Sequence, residues 1–264
     1  MGADPISPGH RVGVFDSGVG GLSILRALRK ELPAEAFVYL ADAGFAPYGE
    51  RDDFFVVERA RAVAQQLIDG HAIKALVIAC NTATAAAIHL LREELPGLPI
   101  VGVEPALKPA LALTRTGRIG VMATRGTLAS AKFRALHESL DRQAEFVLQA
   151  CDGLADTIET GDAAKIAGLC AQYTKALGRF GSDEGQIDTL VLGCTHYPFA
   201  QTQLQSQVGT AVTLVETGDP VARQTRRLLE AAGLLAHAGT GGLELLSTGD
   251  LAALQQAAAR WLPA

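Results

Sequence analysis

Nine short apolar runs recur along this chain, and each ends in a turn of Gly, Ser, Asp or Thr before a stretch with helical apolar spacing. They are "RVGVFDSG", "AFVYLADAG", "ALVIACNT", "IVGVEPA", "RIGVMAT", "EFVLQAC", "TLVLGCT", "VTLVETGD" and "LELLSTGD". A strand buried on both faces reads as an unbroken apolar run, and strands that alternate with helices build parallel sheets covered by helices on both sides. The expected class is therefore α/β. After the first run, Leu22, Leu25, Leu28 and Leu32 step by three or four, as one face of a helix does. The alternation continues to a helix that ends near Trp261.

A length of 264 residues suits one large α/β unit or two small ones, and two are expected. The stretch "LREELPGLPIVGVEP" carries three prolines and marks a crossing between them, with a second crossing near "QVGTAVTLVETGD". The expected division is residues 1–98 plus 213–264 as a discontinuous first domain and 99–212 as the second. "GRFGSDEGQ" reads as an exposed loop.

A content of 48% hydrophobic and 19% charged residues is that of a soluble globular protein. The net charge of −5 gives no electrostatic footprint for nucleic acid, so no DNA or RNA partner is expected. The leading "MGADPISPGH" lacks the basic-then-apolar pattern of a signal peptide, and Ile6 breaks the myristoylation pattern. No apolar run approaches the roughly 20 residues of a membrane helix. A cytoplasmic protein with no membrane partner is expected. The four cysteines, Cys80, Cys151, Cys170 and Cys194, form neither a dense disulfide framework nor a CxxC zinc spacing. Their default role is that of small buried hydrophobes.

Ligands of open parallel sheets sit beyond the carboxyl ends of the strands, so the polar residues ending each run carry the functional information. "VFDSGVGG" places Asp16 and Ser17 at such an end, ahead of Gly18, Gly20 and Gly21. The spacing fits neither G-x-G-x-x-G nor a Walker loop, because Ser23 stands where the last glycine belongs and no Gly-Lys follows. Asp16 has two readings: it holds a substrate ammonium or orients an acid or base, or it caps the next helix. "ADAGFAPYGE" sets Asp42, Pro47, Tyr48 and Gly49 in a rigid turn, where Tyr48 either offers its hydroxyl and backbone to a ligand or merely completes the turn.

Cys80 and Cys194 are the sharper signal. Each follows an apolar run and one small residue, Ala79 or Gly193, and precedes small polar groups, Asn81-Thr82 or Thr195-His196, at an expected helix N-terminus. An unperturbed thiol, with a pKa of about 8.5, is only a few per cent thiolate at neutral pH; a helix N-terminus lowers that pKa and offers N–H groups to an anion. His196 reads as a metal ligand, a general base or a turn histidine. Glu159, in "DTIETGD", reads by itself as a solvated helix residue.

Together "FDSGVGG", "PYG", "ACNTATA", "IETGD", "GCTHYPF" and the closing "STGD…ARWL" resemble the glutamate racemase family, part of the cofactor-independent aspartate/glutamate racemase superfamily. The match runs in order over almost the whole chain. The resemblance implies two similar parallel-sheet α/β domains with the active site in the cleft between them, and two thiols flanking the substrate α-carbon. Inverting a stereocentre takes a base on one face and an acid on the other, with the roles exchanged in reverse, which two like residues supply.

On this resemblance Cys80 acts on D-glutamate and Cys194 on L-glutamate, Asp16 assists the first thiol, and His196 assists the second. Glu159 falls at an additional acidic position of the family. Asp16-Ser17, Tyr48-Gly49, Asn81-Thr82 and Thr195-His196 match its substrate-binding positions. Cys151 aligns with a family cysteine and is read, like Cys170, as structural. The implied partner is glutamate, interconverted to supply D-glutamate for peptidoglycan. Neither metal nor cofactor is expected, pyridoxal phosphate included, and the expected assembly is a homodimer.

The chain departs from the family at "ADAGFAPYG", which has small residues where relatives carry bulkier or polar ones. The lead before Arg11 is too short for the N-terminal extension of relatives activated by a cell-wall precursor, so that regulation is not expected. Other readings are a superfamily racemase of aspartate or hydantoin, against which "CNT" and "CTHYP" speak, and a non-catalytic protein binding a metal or ligand through Cys80, Cys194 and His196. A Cys-His hydrolase built on Cys194 and His196 is a further alternative, disfavoured because nucleophile and base usually come from separate segments.

Overall fold

The computed structural model describes residues 7–262. The expectations placed on Met1–Ile6, the missing signal-peptide pattern and the break at Ile6, lie outside the described residues. Each of the nine apolar runs contains a strand: β1 (Arg11–Asp16), β2 (Phe37–Ala41), β3 (Ile73–Ile78), β4 (Ile100–Gly102), β5 (Arg118–Ala123), β6 (Glu145–Ala150), β7 (Thr189–Leu192), β8 (Thr213–Val215) and β9 (Leu243–Ser247). The helices are α1 (Leu22–Glu31), α2 (Asp53–His71), α3 (Asn81–Glu94), α4 (Leu107–Leu113), α5 (Arg125–Ala129), α6 (Ala131–Glu138), α7 (Leu154–Thr160), α8 (Ala163–Leu177), α9 (Gln201–Val208), α10 (Gly218–Ala231) and α11 (Leu251–Trp261).

The strands form two all-parallel sheets, ordered β4-β3-β1-β2-β9 and β6-β5-β7-β8. The chain divides into two compact units. The first takes the chain through Tyr48, then Asp52–Val103 and everything from Gly218; the second takes Gly49–Arg51 and Glu104–Thr217.

In the first unit, Phe15, Leu40, Leu76 and Ile78 point from the sheet into an apolar cluster with Val56, Ala60, Val63 and Leu67 of α2 and Ala83, Ala87 and Ile88 of α3. Truncating one of its large side chains to Ala costs about 2–5 kcal/mol, because the close-packed cluster refills the void only partly. Leu22, Leu25, Leu28 and Leu32 are all buried, as their spacing predicts, and α1 packs along α10. Asp52 and Asp250 cap α2 and α11 with their carboxylates. Buried Lys74 pairs with buried Glu35 at 2.6 Å, donates to Pro8 O at 2.5 Å, and leaves Glu35 Oε1 to accept from Ala236 N at 2.8 Å.

In the second unit, Met122, Leu190 and Leu192 pack with Leu154, Ile158, Cys170, Tyr173 and Leu204, and Ile119, Val121 and Val191 pack with Leu107, Ala110 and Phe133. The sheet is thus apolar on both faces. Edge strand β6 is the exception, with Leu148 39% exposed. Most of "GRFGSDEGQ" is exposed, as expected.

The crossings fall later than the expected 98/99 and 212/213. Strand β4 pairs with β3, so the chain stays in the first sheet through Gly102, and β8 pairs with β7, so it stays in the second through Val215. Pro96 and Pro99 stop α3 and shape its turn into β4, which is why a proline-rich stretch here ends a helix without ending a unit.

Candidate active site

The strand orders decide where a ligand site forms. In the first sheet β1 continues to β2 on one side and β3 to β4 on the other; in the second, β5 and β7 diverge in the same way to β6 and β8. The crevice at such a switch point, beyond the carboxyl ends of the diverging strands, is where open α/β sheets bind ligands. Asp16 ends β1, and Cys80 lies two residues past β3. Cys194 lies two residues past β7.

The two cysteines also occupy equivalent places in the hydrogen-bond ladders. Ala79 N donates to Phe15 O, and Gly193 N donates to Met122 O, each at 2.7 Å. The likeness of the two motifs thus reflects like positions in two sheets. A Cβ on Gly193 would come within 2.8 Å of Met122 O, so the second site requires glycine where the first has Ala79. Gly21 is constrained in a similar way, since a Cβ there would meet Asp16 Cβ at 2.6 Å.

Around Cys80 the charge environment is set by a helix. Its Sγ caps α3 by accepting from Ala83 N at 3.4 Å, and the positive end of the helix favours a thiolate there. Ser17 Oγ lies 3.9 Å from Cys80 Sγ and 3.5 Å from Asp16 Oδ1. Asp16 is fully buried, and its Oδ1 accepts from Gly18 N at 2.8 Å. It does not cap α1, whose N-cap is Gly21 without a side-chain bond. Asn81 and Thr82 open α3 and are both buried; the Asn81 amide has neither Oδ1 nor Nδ2 hydrogen-bonded. A buried amide left open on both sides calls for a polar partner. Tyr48 is 1% exposed, and its hydroxyl donates to Asp42 at 2.5 Å, so it is engaged within the fold. Gly49 follows in the same turn.

Around Cys194 the helix is replaced by a histidine. The expected helix N-terminus is a short 3-10 turn, Tyr197–Ala200, and α9 starts only at Gln201. Tyr197 N donates to Cys194 O at 3.1 Å, and within this turn His196 Nδ1 comes to 3.7 Å from Cys194 Sγ. One turn thus suffices to bring Cys194 and His196 together. His196 Nε2 lies 2.5 Å from Oε1 of Glu159, on α7. Burial works against the imidazolium, but the bonds to Cys194 and Glu159 prevail and raise His196 well above the usual 6.5. Glu159 is thus more than a solvated helix residue. Thr195, between the thiol and the ring, is 2% exposed.

The residues expected at the site fall into two constellations, Asp16, Ser17, Tyr48, Cys80, Asn81 and Thr82 in the first unit and Glu159, Cys194, Thr195 and His196 in the second; Gly49, next to Tyr48 in sequence, is grouped with the second unit. Burial raises the thiols of Cys151 and Cys170, the latter to about 11, so both stay protonated. Among the described residues, no group of three or more His, Cys, Asp or Glu is gathered as a metal ion requires. Arg59, which shares Asp42 with Tyr48, was not marked by any local motif, and Thr248, which shares it too, lies in the closing "STGD" but was given no role there.

The candidate site thus sets thiols at the switch points of two parallel α/β sheets, one at a helix N-terminus and the other beside a histidine. The chain belongs to the Asp/Glu/Hydantoin racemase family, which it matches over residues 13–225. It is 48% identical over 238 residues to the glutamate racemase of Pseudomonas syringae pv. tomato, covering 89% of this chain and 84% of that one. Its fold is similar to the crystal structure of a glutamate racemase from Bacillus anthracis, with a TM-score of 0.84, 33% identity and coverage of 96% and 93%. It is also similar to the Francisella tularensis glutamate racemase in complex with D-glutamate, with a TM-score of 0.81, 26% identity and coverage of 97% and 94%.

Proposed function

We propose that this chain is a glutamate racemase that interconverts L- and D-glutamate with its own two thiols and no cofactor. The observation that carries the reading is the equivalence of Cys80 and Cys194, each two residues past a switch-point strand and each preceded by the same ladder bond. Their different electrostatic supports suit one group on each face of the substrate. Starting from D-glutamate, the Cys80 thiolate takes the α-proton, and the Cys194 thiol delivers its own proton to the opposite face. Cys80 then carries the proton and Cys194 the negative charge; L-glutamate reacts in the reverse sense.

The transient negative charge spreads from the α-carbon onto the adjoining carboxylate. Hydrogen bonds that strengthen as this charge develops lower the barrier. The open Asn81 amide and the first residues of α3 are suited to that task, as are Thr82 and Thr195. Asp16 assists the first thiol, with Ser17 between carboxylate and sulfur. His196 assists the second, held by Glu159. Tyr48-Gly49 contributes backbone to the substrate, since its hydroxyl is taken by Asp42.

Glutamate is preferred to aspartate or hydantoin because "CNT" and "CTHYP" are intact and the similar proteins reported above are glutamate racemases. No helix among the described residues is long and apolar enough to cross a membrane. We assign the enzyme to the cytoplasm, as a homodimer supplying D-glutamate for peptidoglycan, on the family resemblance. The test is a chiral assay of the purified chain on L-glutamate, aspartate and hydantoin with no cofactor added. D-glutamate as the dominant product supports the reading. No turnover of glutamate, or faster turnover of either competitor, overturns it.

A further inference from the structure

The turn between β2 and α2 contains a buried network to which the proposed reaction gives no role. Asp42, directly after β2, is fully buried, and its carboxylate accepts four hydrogen bonds. The Tyr48 hydroxyl donates at 2.5 Å, Arg59 Nε and Nη2 each at 2.9 Å, and the Thr248 hydroxyl at 2.8 Å. The donors come from the turn, from α2 and from the segment after β9, so one carboxylate ties three parts of the first unit together.

Further contacts stiffen the same turn. Thr248 Oγ1 accepts from Gly44 N at 3.1 Å, and a Cβ on Gly44 would come within 2.8 Å of Thr248 O, so the two turns are packed backbone on backbone. The Arg59 guanidinium sits 3.5 Å from the centre of the Phe45 ring. The Tyr48 ring lies in the apolar cluster that contains Cys80 and meets Phe55 edge-on, with centroids 6.2 Å apart. Burial and the bond to Asp42 push the Tyr48 phenol up, which keeps its hydroxyl a donor. A buried ion pair is a poor source of net stability, because desolvation offsets much of its attraction. Its two-pronged geometry, in contrast, fixes orientation.

We infer that Asp42 is a positioning residue, held by Arg59 and Thr248, which pins the Tyr48 ring in the Cys80 cluster and thereby places the Tyr48–Gly49 backbone to receive glutamate. This rests on the racemase reading for its substrate and on geometry for its mechanics. It also gives a role to the Thr of "STGD", far away in sequence. Asp42 touches no reacting atom, so its loss is expected to weaken binding more than turnover.

The experiment compares Asp42→Asn, Tyr48→Phe, their double variant, Arg59→Lys, Arg59→Met and Thr248→Val with the parent enzyme in both directions. Asp42→Asn and Tyr48→Phe should each raise KM at least about fivefold with kcat within about twofold, and the double variant should be no worse than the poorer single one. Arg59→Lys should lie closer to the parent than Arg59→Met. A second readout needs no activity: iodoacetamide should alkylate Cys80 at least about threefold faster in Asp42→Asn, with Cys194 unchanged, because thiol attack tracks access. Unchanged KM and alkylation in a folded Asp42→Asn, fully additive effects, or a loss confined to kcat would overturn the inference. If Asp42→Asn fails to fold, Thr248→Val, which removes one bond only, is read in its place by the same two measurements. If the parent itself does not racemise glutamate, the proposed function falls, and the alkylation rates still decide whether Asp42 positions Tyr48.

Discussion

His196 bridges Glu159 and Cys194, with Nε2 2.5 Å from Glu159 Oε1 and Nδ1 3.7 Å from Cys194 Sγ. A ring held between a carboxylate and a sulfur is held as the imidazolium, which is the direction of its shift. Glu159→Gln removes the charge behind the ring, so the histidine should lose its proton at lower pH than in the parent. The alkaline limb of kcat for L-glutamate should then move to lower pH, while that of kcat for D-glutamate moves less; kcat/KM must move alike in both directions, because the enantiomers are equally stable. An unmoved alkaline limb would exclude Glu159 from this role.

The same pair makes a prediction about stability. Because folding raises the pKa of His196, the stability it contributes is fully present below the unfolded value of about 6.5 and is lost as pH rises through the folded value. A hydrogen bond to a charged group contributes about 1.5–3 kcal/mol. The parent should therefore exceed Glu159→Gln in unfolding free energy by that order near pH 6, with the gap closing towards alkaline pH. Urea melts of both proteins from pH 5.5 to 9.5 test this, and a gap that widens with pH would contradict it.

On the proposed mechanism Asp16 and His196 assist opposite thiols, so their loss should be felt in opposite directions. Asp16→Asn should lower kcat from D to L by at least about tenfold, roughly 1.4 kcal/mol, and His196→Asn should do the same from L to D. The equilibrium between enantiomers cannot move, so each directional loss in kcat must be matched in KM. Circular dichroism kinetics from both enantiomers would show this. Symmetric losses in both variants would remove the assignment of one helper to one thiol.

Gly193→Ala tests how tightly the second thiol is set on its strand. The added methyl would meet Met122 O, a backbone atom that cannot swing aside, so a loss of about 1–3 kcal/mol is expected from overpacking. The matched change in the first unit, Ala79→Gly, should cost about 0.5–1 kcal/mol through backbone entropy alone. Thermal melts that rank the two the other way would show that Cys80 and Cys194 are not equivalently seated.

Strands were legible because a fully buried parallel strand leaves an unbroken apolar run; all nine runs contain one, and Leu22, Leu25, Leu28 and Leu32 gave α1 its buried face. Strand order was not, because it depends on pairings such as β2 with β9, brought together from residues 37 and 243 onward. For the same reason the crossings slipped: nothing local to "IVG" or "TLV" says which sheet will take it. Cys80 and Cys194 were legible by their matched wording. Their supports were legible only in part, since Glu159 meets His196 across 37 positions and Thr248 meets Asp42 across 206. The different ends of the two motifs, α3 after Cys80 and a 3-10 turn after Cys194, go with Pro198 in the "THYPF" turn, where "NTATAAA" has no proline and carries the alanines Ala83, Ala85, Ala86 and Ala87.

The two-thiol mechanism makes the most exposed prediction, because it concerns where one hydrogen atom goes. A thiol that takes the α-proton from one face holds it away from the other face, where the second thiol delivers a proton already exchanged with solvent. In D₂O, early D-glutamate formed from L-glutamate should carry deuterium at the α-carbon, while the remaining L-glutamate stays largely unlabelled. A single base serving both faces would return part of the original hydrogen to the product. Cys80→Ser and Cys194→Ser should each lower turnover by at least about a thousandfold, some 4 kcal/mol, because a serine hydroxyl ionises far less readily than a thiol. The caps and ladder bonds around each site survive the exchange, so both variants should still fold and bind glutamate. Retained α-hydrogen in the product, or near-normal turnover by either serine variant, would leave one thiol without a part in the reaction.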